Sequence, residues 1–450
     1  MKRKIIQQLK LWKDNPARKP LILLGARQVG KTWVMKHFGQ AEFENVAYIN
    51  CDVEPLAKEL FAADYNIPRI LLTLQAITGT KIEAGKTLII FDELQEVERG
   101  LHSLKYFQEN APEYHVMAAG SLLGITLGKG QSFPVGKVNV MHLYPMDFEE
   151  FMIANNVSKT TLEMLKAKFE TCQPVDEFIH QKLLSLFFIY LIVGGMPDAV
   201  KIYIATKDIR EVDKVQRDIV ALYKEDFSQY ESEDKKLKLI SIYDIIPAEL
   251  NKQNKKFVFT MLNKELKFDR YENSFLWLKD AGVALPVYNV EAPVIPLKAS
   301  KSSNVFRLFS NDTGLLTSAY PAETKLELIN KNSEVNNGAH FENAVAQQLT
   351  ANGLEPYFCK KKNIGELDVL VEMDGKVVPI EVKSGKAYKA HKSLDNFMKI
   401  SDYHIEKAYV LSVANMEQEG AVVYLPIYMC YLLKERKIGK LIVDLDMEGL

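Results

Sequence analysis

A chain of 450 residues, 47% hydrophobic and 26% charged, has the composition of a soluble globular protein and is too long for one core, so three or four domains are expected. Lys and Arg total 57 against 58 for Asp and Glu, which excludes steering of a partner by net charge; any nucleic-acid surface has to be a local patch. Four cysteines (Cys51, Cys172, Cys359, Cys430) without a CxxC pair, and eight histidines without paired ligand spacing, argue against a zinc site or a disulfide framework and fit a reducing compartment.

The opening MKRKIIQQLKLWKDN reads as an amphipathic helix, not a signal peptide, because no apolar core with a cleavage site follows. PLILL (20–24) is a short strand before a glycine loop, and a helical pattern starts at Lys31. AYINCD (47–52), TLIIFDE (87–93) and EYHVMAAGS (113–121) are apolar runs ending in polar residues, with helical segments between. That alternation predicts an α/β unit over 1–145, a parallel sheet with helices on both faces.

Residues 146–234 switch to long helical patterns and read as a helical lid subdomain. LLSLFFIYLIVGGMP is interrupted by Gly194, Gly195 and Pro197 and is shorter than the ~20 residues of a membrane span, so a buried helix running into a turn is expected. No membrane partner is expected, and the location expected is cytoplasmic. Over 235–329, helices followed by a strand pair suggest a winged helix, and RLFSNDTGLL (307–316) a further strand and turn. NKNSEVNNG (330–338) is the linker candidate. Residues 330–450 read helix, strand, strand, strand, helix, strand and a helix-like end, a compact α/β unit.

GARQVGKT, comprising Gly25, Ala26, Arg27, Gln28, Val29, Gly30, Lys31 and Thr32, matches G-x-x-x-x-G-K-[ST] between a strand and a helix. Its glycines let backbone N–H groups face phosphate oxygens at a helix N-terminus, which favours anions. Lys31 is expected to reach the β- and γ-phosphates and Thr32 to ligate Mg²⁺. Arg27 and Gln28 read as loop-packing residues. In TLIIFDE, Asp92 emerges at the C-terminal end of its strand, where ligands sit in open α/β sheets. It can hold Mg²⁺ through water, and Glu93 can orient and deprotonate the attacking water. Ser121, ending the next strand, either senses the γ-phosphate or caps the following helix.

A second constellation lies in GELDVLV and VVPIEVKSG. E-x-K occurs five times in the chain, but only the Glu381–Lys383 copy sits in a strand with an acid, Asp368, at the end of another strand. Residues two apart on a strand share a face, so Glu381 and Lys383 point the same way and Asp368 can meet them. Two carboxylates would hold Mg²⁺ to activate water, with Lys383 stabilising charge at a scissile phosphate. Lys360, Lys361, Lys362, Lys386, Lys389 and Lys392 lie near in sequence. The winged-helix segment 251–270 adds Lys252, Lys255, Lys256, Lys264, Lys267 and Arg270, suited to phosphate contacts or to a solvated helix face. Tyr271, Phe275 and Trp277 read as core.

With GARQVGKT, IIFDELQ, FPVGKV, LYPMDFEEF, VGGMP, WLKDAGV, NDTGLL, GAHFENAVAQQL and ELDVLV…IEVKSGK in place, nearly the whole chain resembles a known family. These are bacterial and archaeal AAA+-type ATPases of the ASCE P-loop branch, with a helical lid, a winged helix and a C-terminal PD-(D/E)xK nuclease-like domain. The resemblance implies ATP as the nucleotide. It makes Glu342, in AHFENAVAQQL, the helix acid near the nuclease-type metal, beside Asp368 and Glu381. Such ATPases often take an arginine from a neighbouring subunit, so a homo-oligomer is one expectation. Relatives more often carry arginine where FPVGKV has Lys137, and the finger is left unassigned. Two readings fit: an ATPase acting on nucleic acid, expected to be DNA, through a nuclease-like effector, or an ATP-dependent interaction switch whose nuclease-like domain does not cut.

Overall fold

The computed structural model describes residues 1–62, 64–120, 134, 136–230, 233–252, 257, 272–330, 337–362 and 364–436. Ser121, Lys255, Lys256, Lys264, Lys267, Arg270, Tyr271 and residues 331–336 of the linker candidate lie outside them.

The first sheet is formed by β1 (Leu21–Leu24), β2 (Asn45–Asn50), β3 (Thr87–Asp92), β4 (His115–Ala119) and β5 (Asn139–His142), all parallel, in the order β2-β3-β4-β1-β5. β3 and β4 are buried at every position, which is why they read as unbroken apolar runs. β5 escaped the sequence reading because it is an edge strand whose residues alternate between half-buried and exposed. Helices α1 (Ile5–Asp14) and α2 (Lys31–Glu42) share a core with Leu21, Leu23, Leu88 and Ile90. Helices α3 (Ile67–Thr78) and α4 (Gly100–Asn110) cover Ile89 and Phe91 on the other face, as alternation along a strand requires. The chain order reverses at β1, so the loop after β1 and the tip of β3 flank a crevice at the carboxyl ends of the strands.

The helical region holds α5 (Phe148–Ala154), α6 (Lys159–Thr171), α7 (Glu177–Val193), α8 (Pro197–Thr206), α9 (Ile209–Tyr230) and α10 (Glu233–Leu250). α7 carries the apolar run and is a core helix, with Leu183, Leu184, Phe187, Phe188, Tyr190, Leu191, Ile192 and Val193 buried. Among the described residues no helix is long and apolar enough to cross a membrane. α9 is amphipathic and buries Val212, Ile219, Tyr223 and Phe227 at helical spacing.

Farther along the chain lie α11 (Glu272–Asp280), α12 (Thr313–Ser318), α13 (Ala322–Ile329), α14 (Gly338–Ala351) and α15 (Lys392–Met398). The turn expected after Ser310 is the start of α12, capped by the Asp312 side chain on the Leu315 amide. Phe275 and Trp277 are core residues, as read from the sequence.

The second sheet has eight strands: β6 (Ala284–Val290), β7 (Lys301–Ser310), β8 (Tyr357–Lys361), β9 (Gly365–Met373), β10 (Lys376–Val382), β11 (Ala408–Ser412), β12 (Glu417–Glu419) and β13 (Val422–Pro426). Their order is β12-β13-β11-β10-β9-β8-β6-β7. The β6–β7 hairpin therefore joins the C-terminal strands in one sheet, through parallel pairing of Tyr288 with Tyr357 and Asn289 with Phe358. One buried apolar core runs from α1 and β1 through α7 to β13, so the first sheet, the helical region and the second sheet are packed together.

Candidate nucleotide site and C-terminal acid cluster

The phosphate loop is shaped by backbone conformations that glycine tolerates. Gly25 has φ +152° and Gly30 φ +92°, and a Cβ on Gly25 would overlap the Leu143 carbonyl oxygen. Gln28 is also left-handed, at φ +68°. Lys31 opens α2 and is buried. Its ammonium donates to the carbonyl oxygens of Gly25 (2.8 Å) and Ala26 (2.9 Å). Burial draws its pKa down to about 8, against the opposing pull of Glu93 and Asp92.

Thr32 Oγ1 donates to Asp92 Oδ2 at 2.6 Å, although the two are 60 residues apart. Tyr48, on the neighbouring strand, donates its hydroxyl to the same oxygen at 3.1 Å. Asp92 Oδ1 is buried and has no hydrogen-bond partner among the described residues. Burial raises the carboxyl pKa, while the bond from Thr32 lowers it. A buried carboxylate oxygen with nothing to accept from, beside a threonine hydroxyl, fits a divalent cation that takes its other ligands from phosphates and water. Glu93 follows in the left-handed region at φ +50°, a conformation that costs about 1 kcal/mol for a non-glycine residue. Its side chain does not cap the short turn Leu94–Glu96; it accepts from Gln95 Nε2 at 2.7 Å.

Several residues around the loop were not legible in the sequence. Arg3 is buried and donates to the Val29 carbonyl (2.9 Å), the Tyr144 carbonyl (2.6 Å) and Glu150 (3.2 Å). Its only sequence signal was membership of a basic run. Arg27 pairs with Asp226 of α9, and Tyr223 donates its hydroxyl to the Arg27 carbonyl at 3.2 Å. Gln28 borders a cavity of about 340 Å³ with Asp198, Lys201, Ile202 and Ile219. Lys137 pairs with Glu109 at 2.9 Å.

The second constellation is brought together around a residue the sequence did not single out. β9 and β10 are antiparallel with Val369 opposite Ile380, so the next step along the register sets Asp368 against Glu381. Asp368 Oδ2 accepts from the Val382 amide at 2.9 Å. Lys383 Nζ donates to Glu381 Oε1 at 2.8 Å. Glu381 is 5% exposed, and its Oε2 has no hydrogen-bond partner among the described residues. Burial, then the nearby Asp368, push its pKa up to about 8 against the pull of Lys383. Arg307, from β7, enters this cluster with its side chain 2% exposed. Its guanidinium lies over Phe358 and donates to Glu342 (3.2 Å), to Glu366 and to the Asp368 carbonyl (3.2 Å).

A metal was expected on Glu342, Asp368 and Glu381. Among the described residues no group of three or more His, Cys, Asp or Glu side chains is placed to hold one. Arg307 supplies positive charge between Glu342, Glu366 and Asp368, while the buried Glu381 Oε2 faces no hydrogen-bond donor among the described residues. The surrounding lysines are also engaged in part: Lys360 pairs with Glu366, and Lys389 with Glu417 and Glu419.

Residues 17–152 match the family model of an AAA domain, residues 184–326 a domain of unknown function (DUF8612) and residues 337–429 a second domain of unknown function (DUF4143). The N-terminal sheet and its phosphate loop are thus an AAA-type P-loop domain. The second match runs across residue 234, where the sequence reading had divided lid from winged helix. No curated protein matches the chain. Among solved structures, the chain is similar to the Walker-type ATPase PABY2304 of Pyrococcus abyssi, at 15% identity and a TM-score of 0.42, over 70% of this chain and 95% of that one. The Aeropyrum pernix ORC1 protein in complex with DNA matches at 11% identity and a TM-score of 0.30, over 73% and 93%. The STAND protein PH0952 from Pyrococcus horikoshii, with a tetratricopeptide repeat sensor, matches at 14% and 0.22, over 78% and 48%.

Proposed function

We propose that this chain binds and hydrolyses ATP with Mg²⁺, and that the observation carrying this is the Thr32–Asp92 bond at 2.6 Å beneath the loop that holds Lys31. The β- and γ-phosphates replace the Gly25 and Ala26 carbonyls as partners of Lys31. Thr32 and Asp92 would hold the cation, whose charge would offset that developing on the phosphates. Glu93 orients a water and takes its proton as the water oxygen bonds to the γ-phosphorus. The bond to the β–γ bridging oxygen breaks, leaving ADP and phosphate. Phosphate release tests this. Lys31→Ala should abolish nucleotide binding, and Glu93→Gln should keep binding but lower turnover by about 10²–10³-fold. Unchanged turnover in Glu93→Gln would overturn the assignment of the base.

For the C-terminal sheet, Arg307 favours the switch reading over the cutting one. A guanidinium among Glu342, Glu366 and Asp368 leaves Glu381 and Lys383 to pair with each other. In this reading ATP sets the conformation of the packed helical region, and the nuclease-like sheet presents a surface to a partner. Labelled DNA and RNA incubated with Mg²⁺ or Mn²⁺ and ATP should stay intact. Cleavage that disappears in Asp368→Ala would restore the nuclease reading, and binding of uncut DNA would make nucleic acid the partner.

A further inference from the structure

Arg27 is the one loop side chain that carries a second charge beside Lys31, and a carboxylate from another element holds it. Asp226 comes from α9, and its side chain is 8% exposed while that of Arg27 is 41% exposed. The pair sits at the business end of the loop: Asp226 is close enough to Lys31 and Glu93 for their charges to act on it. A guanidinium presents a planar fork that matches carboxylate and phosphate oxygens alike. A triphosphate arriving at Lys31 therefore competes with Asp226 for Arg27 and repels the Asp226 carboxylate.

Resting on the nucleotide reading above, we propose that Arg27 and Asp226 form a sensor for the γ-phosphate, in which the phosphate takes over the Arg27 guanidinium and the released Asp226 moves α9. Arg27 is then a residue that distinguishes ATP from ADP, and Asp226 a positioning residue that acts through it. α9 is suited to pass the change on. One turn before Asp226, Tyr223 donates to the Arg27 carbonyl and accepts from Asn311 Nδ2 at 3.3 Å. The residue before Asn311, Ser310, donates its amide to Asn343 at 2.8 Å, and Asn343 is the neighbour of Glu342 in α14. The loop and the C-terminal acid cluster are thus joined through α9 and the end of β7.

The test is the ratio of ATP to ADP affinity, measured by competition against a fluorescent ADP analogue with Mg²⁺. Asp226→Asn removes both the competitor for Arg27 and the opposing charge, so ATP should bind about tenfold tighter with ADP little changed. Arg27→Gln should lower ATP affinity about tenfold and leave ADP affinity nearly the same. In the double variant Asp226→Asn should change the ratio by less than it does beside Arg27, since only the direct repulsion is left to remove. An unaltered ratio in Arg27→Gln, whose half-exposed side chain is not needed for the core, overturns the proposal, as does an Asp226→Asn effect that is no smaller without Arg27. If the unmodified chain binds ATP and Lys31→Ala does not, those results sink the sensor alone. If the unmodified chain binds neither nucleotide, the sensor and the ATPase reading fall together.

Discussion

The Asp312 carboxylate accepts the amide N–H of Gly195 at 2.6 Å, which ties the turn beside the phosphate loop to the first turn of α12. The same carboxylate accepts from the Leu315 amide (3.0 Å) and from Gln347 of α14 (3.4 Å). Pro197, two residues after Gly195, lies against the site where a Cβ on Gly30 would stand. This junction gives a physical reason for the VGGMP and NDTGLL stretches. A Cβ on Gly194 would overlap Asp312 Oδ1, one on Gly195 the Met146 carbonyl oxygen, and one on Gly314 the Val193 carbonyl oxygen.

Asp312→Ala should therefore leave buried amides unpaired and lower stability by about 3 kcal/mol. Gly195→Ala should destabilise by a similar ~1–3 kcal/mol through overpacking against Met146. Urea midpoints of the two variants check both. A midpoint for Gly195→Ala equal to the unmodified chain would mean the turn can yield.

Arg3 holds the phosphate loop from behind. Arg3→Ala strands the buried Glu150 carboxylate and frees the Val29 carbonyl, at a cost of about 3–5 kcal/mol. Thermal midpoint should fall, and ATP should bind more weakly because the loop is no longer braced. Calorimetry of ATP binding below the lowered midpoint separates the two effects.

Arg307→Met replaces the guanidinium with a side chain of similar length and no charge. Glu342, Glu366 and Asp368 are then left facing one another, and stability should drop by about 3–5 kcal/mol. The vacated acids should also bind Mn²⁺ more tightly than they do in the unmodified chain. Electron paramagnetic resonance titration of Mn²⁺ reads this without reference to any catalytic activity. Arg307→Lys should rescue only partly, since a compact ammonium lacks the two spaced nitrogens with which the guanidinium reaches Glu342 and Glu366.

Glu381 sets a pH dependence with a definite sign. Its pKa rises from 4.5 to about 8 on folding, mainly through burial, so the folded chain keeps a proton that the unfolded chain loses. That contribution is complete below the unfolded value and is lost as pH climbs through the folded one. Unmodified protein should thus lose stability relative to Glu381→Gln between about pH 5 and 8, with no further divergence above. Urea midpoints at a series of pH values give the difference curve, and a difference that grows in the opposite sense would refute the burial argument.

Much of the nucleotide site was legible because its chemistry is local. GARQVGKT packs the positive-φ positions, the cation and the hydroxyl into one contiguous turn, and an apolar strand delivers Asp92 and Glu93 to its end. The period of two put Glu381 and Lys383 on one face, and the structure bonds them. The apolar run at 183–193 announced a buried helix by itself.

What tertiary structure alone decided are the charges that answer those residues. Arg307 meets Glu342 across 35 residues and Glu366 across 59, Arg27 meets Asp226 across 199, and Arg3 meets Glu150 across 147. Periodicity reports which face a side chain occupies, but not which distant side chain it will find there. The merging of the β6–β7 hairpin with β8 was hidden for the same reason, since strand order depends on long-range backbone pairing. Sequence thus determined a phosphate loop and a set of acids on two adjacent strands. Only the fold decided that one is latched to a helix by Asp226 and the other is filled by an arginine, because both outcomes are set by charge compensation between elements brought together in a shared core.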